Sequence, residues 1–216
     1  ELFERTARRL KARFPHLKIG GPGVGGTGEF RNGQFEPAPF VARFLTHCRE
    51  RQVPLDFFSW HRYTADPGDI ARRASAIRRI LDDHGFRATE SHLNEWNYLP
   101  REDWTPMLRD GQGIPRDAWF REIGGPVGAA FSASVLMLLQ DREVDAANYF
   151  TGEIQGFGLF DFNGTPKATF HAFRAFRDLL DHPVRVELQP PPGNHAAGTT
   201  TLVAGRARNS SAAAVL

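Results

Sequence analysis

The sequence predicts an α/β chain built on a parallel sheet, followed by a short all-β segment. Three observations predict it. Short apolar runs alternate with longer stretches of helical periodicity, in four strand–helix units of about 30–60 residues. Polar and aromatic residues collect just after each run: Gly20-Gly21-Pro22, His61-Arg62-Tyr63, Asn94-Glu95-Trp96-Asn97 and Tyr149-Phe150-Thr151. Beyond Pro183 the hydrophobic period changes from helical to two. Four units fit a small open sheet, or the second half of a (β/α)8 barrel, which typically has about 250 residues and its chemistry at the carboxyl ends of the strands. Half a barrel exposes two parallel edges, so the barrel reading expects four further strands outside this chain.

The elements follow in order. Residues 2–14 place Phe3, Ala7, Leu10 and Phe14 at helical spacing, and Pro15 ends the helix. Leu17 to Gly20 reads as a short strand. Gly20 to Gly26 reads as a loop that needs positive φ angles. Gly21, Gly23 and Gly26 match dinucleotide-binding spacing, but Thr27 to Phe35 has no helical period to hold a pyrophosphate, so that reading fails. Phe40 to Arg51 is helical, with Val41, Phe44, Leu45 and Cys48 on one face. Leu55 to Trp60 is a buried-strand candidate ending in His61-Arg62-Tyr63. Asp66-Pro67 starts the next helix, which carries Ile70, Ala74, Ile77 and Leu81 and stops at Gly85. Residues 86–95 form the strand that ends in Glu95.

Residues 98–118 read as a long polar loop with three prolines, from which Trp104 could reach a ligand or pin the loop. A small-residue apolar helix from about Pro126 to Gln140 must be well buried. Val144 to Phe150 is a further strand, and 153–162 is loop up to the Asn163-Gly164 turn. The last helix runs from about Pro166 to Leu180, with Phe170, Phe173, Phe176 and Leu180 inward. Val184 to Leu188, Thr200 to Ala204 and Ala212 to Leu216 read as strands of a β appendage. The expected division is 1–182 and 183–216.

Composition narrows the function. Hydrophobic residues make up 41% of the chain, enough for a core, and the formal net charge is only +2. Most of the 27 basic residues are Arg spread over helix patterns beside Asp and Glu, unlike the clustered footprint of a nucleic-acid binder. No nucleic-acid partner and no membrane partner are expected, since no apolar run reaches spanning length. Cys48, the one cysteine, reads as a buried thiol. No HExxH or CxxC pattern is present, and no metal or organic cofactor is expected. The oligomeric state and the compartment are left open.

The strand ends suggest carbohydrate chemistry, because sugars are bound by carboxylates, amides and aromatic faces. Glu95 stands between Asn94 and Trp96, with Trp60, His61 and Tyr63 one strand away. Glycoside hydrolysis needs two carboxylates, about 5–5.5 Å apart when configuration is retained. Glu90 cannot be the second. Five residues back along a strand is about 16 Å, and the odd spacing turns it to the other face. A salt bridge or helix contact is its expected role. His92 reads as core or supporting shell, Asp56 as structural, and Glu153 as part of a substrate-contacting loop. A non-catalytic carbohydrate-binding barrel is the alternative reading, which the residue after the fourth barrel strand would separate from the enzyme.

At these residues the sequence resembles glycoside hydrolase family 39, the β-xylosidases and α-L-iduronidases. The resemblance runs through Leu10 to Pro22, Asp56 to Tyr63, Asn94 to Asn97, and Gly156 to Leu159 with Gly164-Thr165-Pro166-Lys167 and Ala172-Phe173. It implies the second half of a (β/α)8 TIM barrel followed by the start of a β-sandwich. It also implies a retaining β-xylosidase-like mechanism on an oligosaccharide or glycoside. Glu95 would be the nucleophile, and His61 with its aromatic neighbour would line the sugar site. From the residues themselves, His61, Asn94 and Tyr63 are read as holding ring hydroxyls, Trp60 or Trp96 as an apolar wall, Arg62 as a candidate cation for a uronide, and Glu153 as a substrate contact. The family's acid/base glutamate lies in an Asn-Glu-Pro motif that this chain lacks and that would fall before Glu1. The chain alone is therefore expected to be inactive. The eighth-strand segment is also shortened between Thr151 and Gly156.

Overall fold

The structure, a computed structural model, describes residues 1–108, 113–188, 201–208 and 212–216. Two compact units form. The first holds Glu1–Tyr63, Asp69–Trp96 and Arg142–Phe150. The second holds Thr64–Gly68, Asn97–Asp141 and Thr151–Leu216.

The first unit contains a four-stranded sheet in the order β1 (Gly20–Val24), β4 (Phe57–Thr64), β5 (Glu90–Tyr98), β6 (Ala146–Tyr149). β1 pairs parallel with β4, and β5 with β6. Helices α1 (Leu2–Arg13), α2 (Pro39–Glu50) and, from Asp69 on, α3 (Pro67–Asp83) belong to the same unit. Ala7, Cys48 and Val53 form a buried cluster, packed by Phe3, Ile19, Phe44 and Phe86. The helix limits have local causes. Pro39 opens α2 at a position that needs no N–H. The Asp66 carboxylate accepts from the Gly68 N–H at 2.8 Å and caps α3, and Gly85, at φ +85°, ends it. Ile70, Ala74, Ile77 and Leu81 are buried as expected, and so is Cys48, whose thiol burial pushes up to about 11.

Several expectations need correction. The first strand is Gly20–Val24, not Leu17–Gly20. A parallel neighbour rather than local propensity makes it a strand. A Cβ on Gly20 would sit 2.1 Å from the Phe57 carbonyl oxygen, so only glycine allows this approach to β4. The stretch read as irregular, Thr27 to Phe35, supplies most of a hairpin, β2 (Gly28–Arg31) and β3 (Gln34–Pro37), turned by Asn32 and Gly33 at positive φ. Strand β4 runs past Trp60 to Thr64, so His61, Arg62 and Tyr63 lie inside it. Leu10 and Phe14, at helical spacing with the buried Ala7, are themselves exposed.

In the second unit, α4 (Ile114–Gly124), α5 (Pro126–Leu139) and α6 (Ala168–Asp178) pack together. α4 occupies part of the predicted 98–118 loop, the rest of which includes 3₁₀ turns at Pro100–Glu102 and Thr105–Met107; residues 109–112 lie outside the described residues. Trp104 is pinned near Trp119 and Phe157, with ring centroids 6.0 and 6.4 Å away. The small residues of α5 have a packing cause, since a Cβ on Gly128 would lie 1.9 Å from the Ile123 carbonyl oxygen. Its Phe131, Val135, Met137 and Leu139 are buried, whereas Val127 is exposed. The last helix stops at Asp178 and continues as a 3₁₀ turn, which leaves Leu180 exposed rather than inward. β7 (Val184–Val186), β8 (Ala204–Arg206) and β9 (Ala213–Val215) form one antiparallel sheet. No second sheet facing it occurs among the described residues.

Candidate active site

Alternation along β4 sorts its side chains. Phe58 and Trp60 are buried on one face at 1% and 0% exposure, while Phe57, Ser59, His61 and Tyr63 take the other, where Ser59 is buried and the other three stay partly open. On β5, Ser91 and Leu93 are fully buried, and so is Trp96, although it is three residues beyond Leu93. Regular alternation would put the two on opposite faces of the strand. The register supplies the reason: Leu93 stands opposite Ala147 but Trp96 opposite Tyr149, so β5 gains one residue between them. This bulge leaves both Asn94 and Glu95 at the open side of the strand end. A second slip, at Gly23 in β1, lies alongside. There the Gly23 N–H donates to Ser59 Oγ at 2.9 Å, and a Cβ on Gly23 would meet the Asn94 amide at 3.9 Å.

The Tyr63 hydroxyl donates to Glu95 Oε1 at 2.5 Å. Burial, then the hydrogen bond and charge of Glu95, raise the tyrosine's pKa far above its ordinary value. The neutral, donating form of the phenol is thereby favoured. Sequence reading gave Tyr63 to sugar hydroxyls; the structure gives its hydroxyl to Glu95. His61 lies against Gly25, where a Cβ would come within 3.0 Å of its Cδ2 and Nε2. Its Nδ1 is buried and finds no hydrogen-bond partner among the described residues. That leaves one ring nitrogen to be satisfied by a water or a ligand.

The remaining candidates fall elsewhere. Trp60 is fully covered and its indole N–H donates to Ser91 Oγ at 3.1 Å. Trp96 is fully covered too, edge-on to Tyr149 at 5.2 Å. Neither shows a ring face to solvent, which corrects their assignment as the apolar wall of a sugar site. Arg62, a candidate cation for a uronide, is engaged by Asp69 at 2.7 Å. Glu153 belongs to the second unit, is exposed, and accepts from the Gln155 amide at 3.0 Å. Glu90 pairs with Lys18 and with His92 Nε2 at 3.0 Å, and those partners lower its pKa. His92 stacks on Phe57 at 4.4 Å. Asp56 accepts from Lys11 and from the Ile19 N–H, each at 2.7 Å, and is structural. Sequence reasoning missed Ser59 and Gly25. The period-two parity that buries Phe58 and Trp60 could have found Ser59. Among the described residues no three His, Cys, Asp or Glu side chains converge as a metal site.

Fold and site together define an α/β chain whose polar groups gather at the carboxyl ends of parallel strands. Comparisons with known proteins agree and go further. The sequence profile of glycosyl hydrolases family 39 matches residues 1–215, and the chain belongs to that family. It is 29% identical to the β-xylosidase of Geobacillus stearothermophilus over 204 residues, which cover 84% of this chain and 37% of that one. The crystal structure of a glucosidase from Croceicoccus marinus superposes with a TM-score of 0.69 at 28% identity, covering 96% of this chain and 40% of that one. An endo-β-1,3-glucanase from Amycolatopsis mediterranei, solved with laminaripentaose, shares the fold at 18% identity and a TM-score of 0.51, over 79% of this chain and 64% of that one. The chain thus spans well under half the length of the β-xylosidase and glucosidase it matches. These solved neighbours are glycosidases of the TIM-barrel type, and the family resemblance read from the sequence holds.

Proposed function

We propose that this chain carries the nucleophile half of a retaining glycosidase site that cleaves O-glycosidic bonds of a β-xyloside-like substrate. The observation that carries the reading is the Tyr63–Glu95 hydrogen bond at the bulged end of a parallel strand. It holds one carboxylate oxygen and leaves the other for attack. Glu95 attacks the anomeric carbon, the bond to the leaving oxygen breaks, and a covalent glycosyl-enzyme forms. An acid/base glutamate protonates that oxygen, then activates the water that releases the sugar. We assign it to an Asn-Glu-Pro motif in a segment preceding Glu1, where the family resemblance puts it. Neither Glu90 nor Asp56 is available for that role, since each is committed to basic partners.

His61 and Asn94 supply hydrogen bonds to ring hydroxyls, and Tyr63 orients the nucleophile. The buried Trp60 and Trp96 support the strand ends from behind. Glu153 is assigned a substrate contact only from its place in the loop after the last strand. Residues 1–182 then form the second half of a (β/α)8 catalytic barrel, and 183–216 begin a β-sandwich domain. The chemistry asks for no metal or organic cofactor.

The test uses the complete gene product and an aryl β-xyloside. Glu95→Gly should lower turnover by about 10⁴-fold or more. Azide should restore it by entering the vacated space and giving a glycosyl azide of inverted configuration. Hydrolysis that survives the substitution, without azide, would remove Glu95 from the mechanism.

A further inference from the structure

Arg73 is 2% exposed, on a helix whose other buried side chains are mostly apolar. A buried guanidinium is costly unless its donors are met, and here they are met in a particular direction. Its Nε and one Nη face the two Asp69 carboxylate oxygens, each at 3.4 Å. The other Nη donates to Thr27 Oγ1 at 3.0 Å and to the Gly28 carbonyl at 2.5 Å. Its cationic carbon lies 5.7 Å from the Phe30 ring and 5.4 Å from the Phe35 ring. Beyond its own helix, these contacts and a 3.9 Å ion pair with the exposed Glu29 all go to the β2–β3 hairpin and its root. That root is closed by the Ala38 N–H on the Thr27 carbonyl at 2.9 Å.

Two paths lead from this guanidinium to the candidate site. Thr27 ends the segment that starts at Gly23, and Gly25 within it is the backbone pressed against the His61 ring. The second path runs through Asp69, which also accepts from Arg62 Nε at 2.7 Å. Arg62 lies between His61 and Tyr63 in the same strand. A lysine could not replace this geometry, because one ammonium cannot span a carboxylate, a hydroxyl and a carbonyl while lying between two rings.

We propose that Arg73 is a positioning residue of the sugar site. It fixes the Gly23–Thr27 segment against His61 and, through Asp69, the strand that carries His61. The inference rests on the glycosidase reading above and adds to it the buried group that sets where His61 stands.

A double-mutant cycle in the complete gene product tests it, read as kcat/KM on an aryl β-xyloside. His61→Ala should cost about 100-fold, in the range of one lost hydrogen bond to a developing charge. Arg73→Lys alone should cost about tenfold. If Arg73 acts through His61, the double variant is no worse than His61→Ala, because the ring that Arg73 positions is gone. Multiplying losses would mean that Arg73 merely stabilises the fold, and would overturn the proposal. Thr27→Val removes one Arg73 contact while the guanidinium keeps Asp69 and the Gly28 carbonyl as partners. It should show the same non-additivity on a loss of about threefold, and it carries the cycle if Arg73→Lys does not fold. A harmless His61→Ala beside an inactive Glu95→Gly would sink this inference alone. An active Glu95→Gly would sink the reading beneath it.

Discussion

Strand β5, which runs on to Tyr98 rather than ending at Glu95, carries one glutamate at its start and another past its middle, and the two have opposite surroundings. Glu90, at the amino end, is gripped by Lys18 and His92, and its pKa is pulled down by them. Glu95, in the carboxyl half, takes a hydrogen bond from a neutral hydroxyl whose own pKa is driven up. Cationic partners consume a carboxylate's charge. A phenol orients one oxygen while leaving the negative charge in place. Residue type is the same in both; position along a parallel strand decides which one is available for chemistry.

The comparison can be broken by substitution, beginning with the largest effect. Glu95→Gln should abolish turnover, by about 10⁴-fold or more, with the fold intact by circular dichroism. Tyr63→Phe removes only the orienting hydrogen bond and should cost about 10–100-fold in kcat, since hydrogen bonds to charged groups are worth about 1.5–3 kcal/mol. A loss as small for Glu95→Gln as for Tyr63→Phe would erase the distinction. Glu90→Gln should leave kcat/KM nearly unchanged and lower the melting temperature slightly, because its pairs are largely solvent-exposed.

A last prediction concerns pH. Tyr98, in the second unit, donates to Glu122 at 2.9 Å; burial and that carboxylate push it up to about 12. Its folded pKa exceeds the unfolded value, so its contribution is full below about pH 10 and is lost as pH rises towards 12. Tyr63 follows the same sign. An ultraviolet titration near pH 10.5 should therefore find both phenols protonated in the native protein, and comparison with Tyr63→Phe and Tyr98→Phe should show no missing tyrosinate. Ionisation of either at its ordinary pKa would contradict the Tyr63–Glu95 and Tyr98–Glu122 hydrogen bonds.

Much of the scaffold was legible because it depends on local patterns. The faces of α2 and α3 follow from apolar spacing, and Asp66-Pro67 and Gly85 mark the limits of α3. What was not legible depends on contacts between distant segments. β1 is a strand made of glycine and proline, which propensity forbids and β4 imposes. His61, Arg62 and Tyr63 look like loop because rim residues are polar, yet they lie within β4. Glu95 was legible from its amide and indole neighbours, but not the Tyr63 hydroxyl 32 residues away. The bulge at Asn94-Glu95 is also silent in the sequence, and it explains why Trp96 turned inward when a regular strand would have kept it with Asn94.

The most direct measurement is labelling of the complete gene product with 2-deoxy-2-fluoro glycosides, beginning with the activated β-xyloside, followed by peptide mapping. The account predicts a stoichiometric adduct on Glu95, trapped because the fluorine slows both steps and the second more than an activated leaving group allows for the first. An adduct on another carboxylate, or continued hydrolysis of the unsubstituted substrate by a protein that never accumulates label, would contradict it.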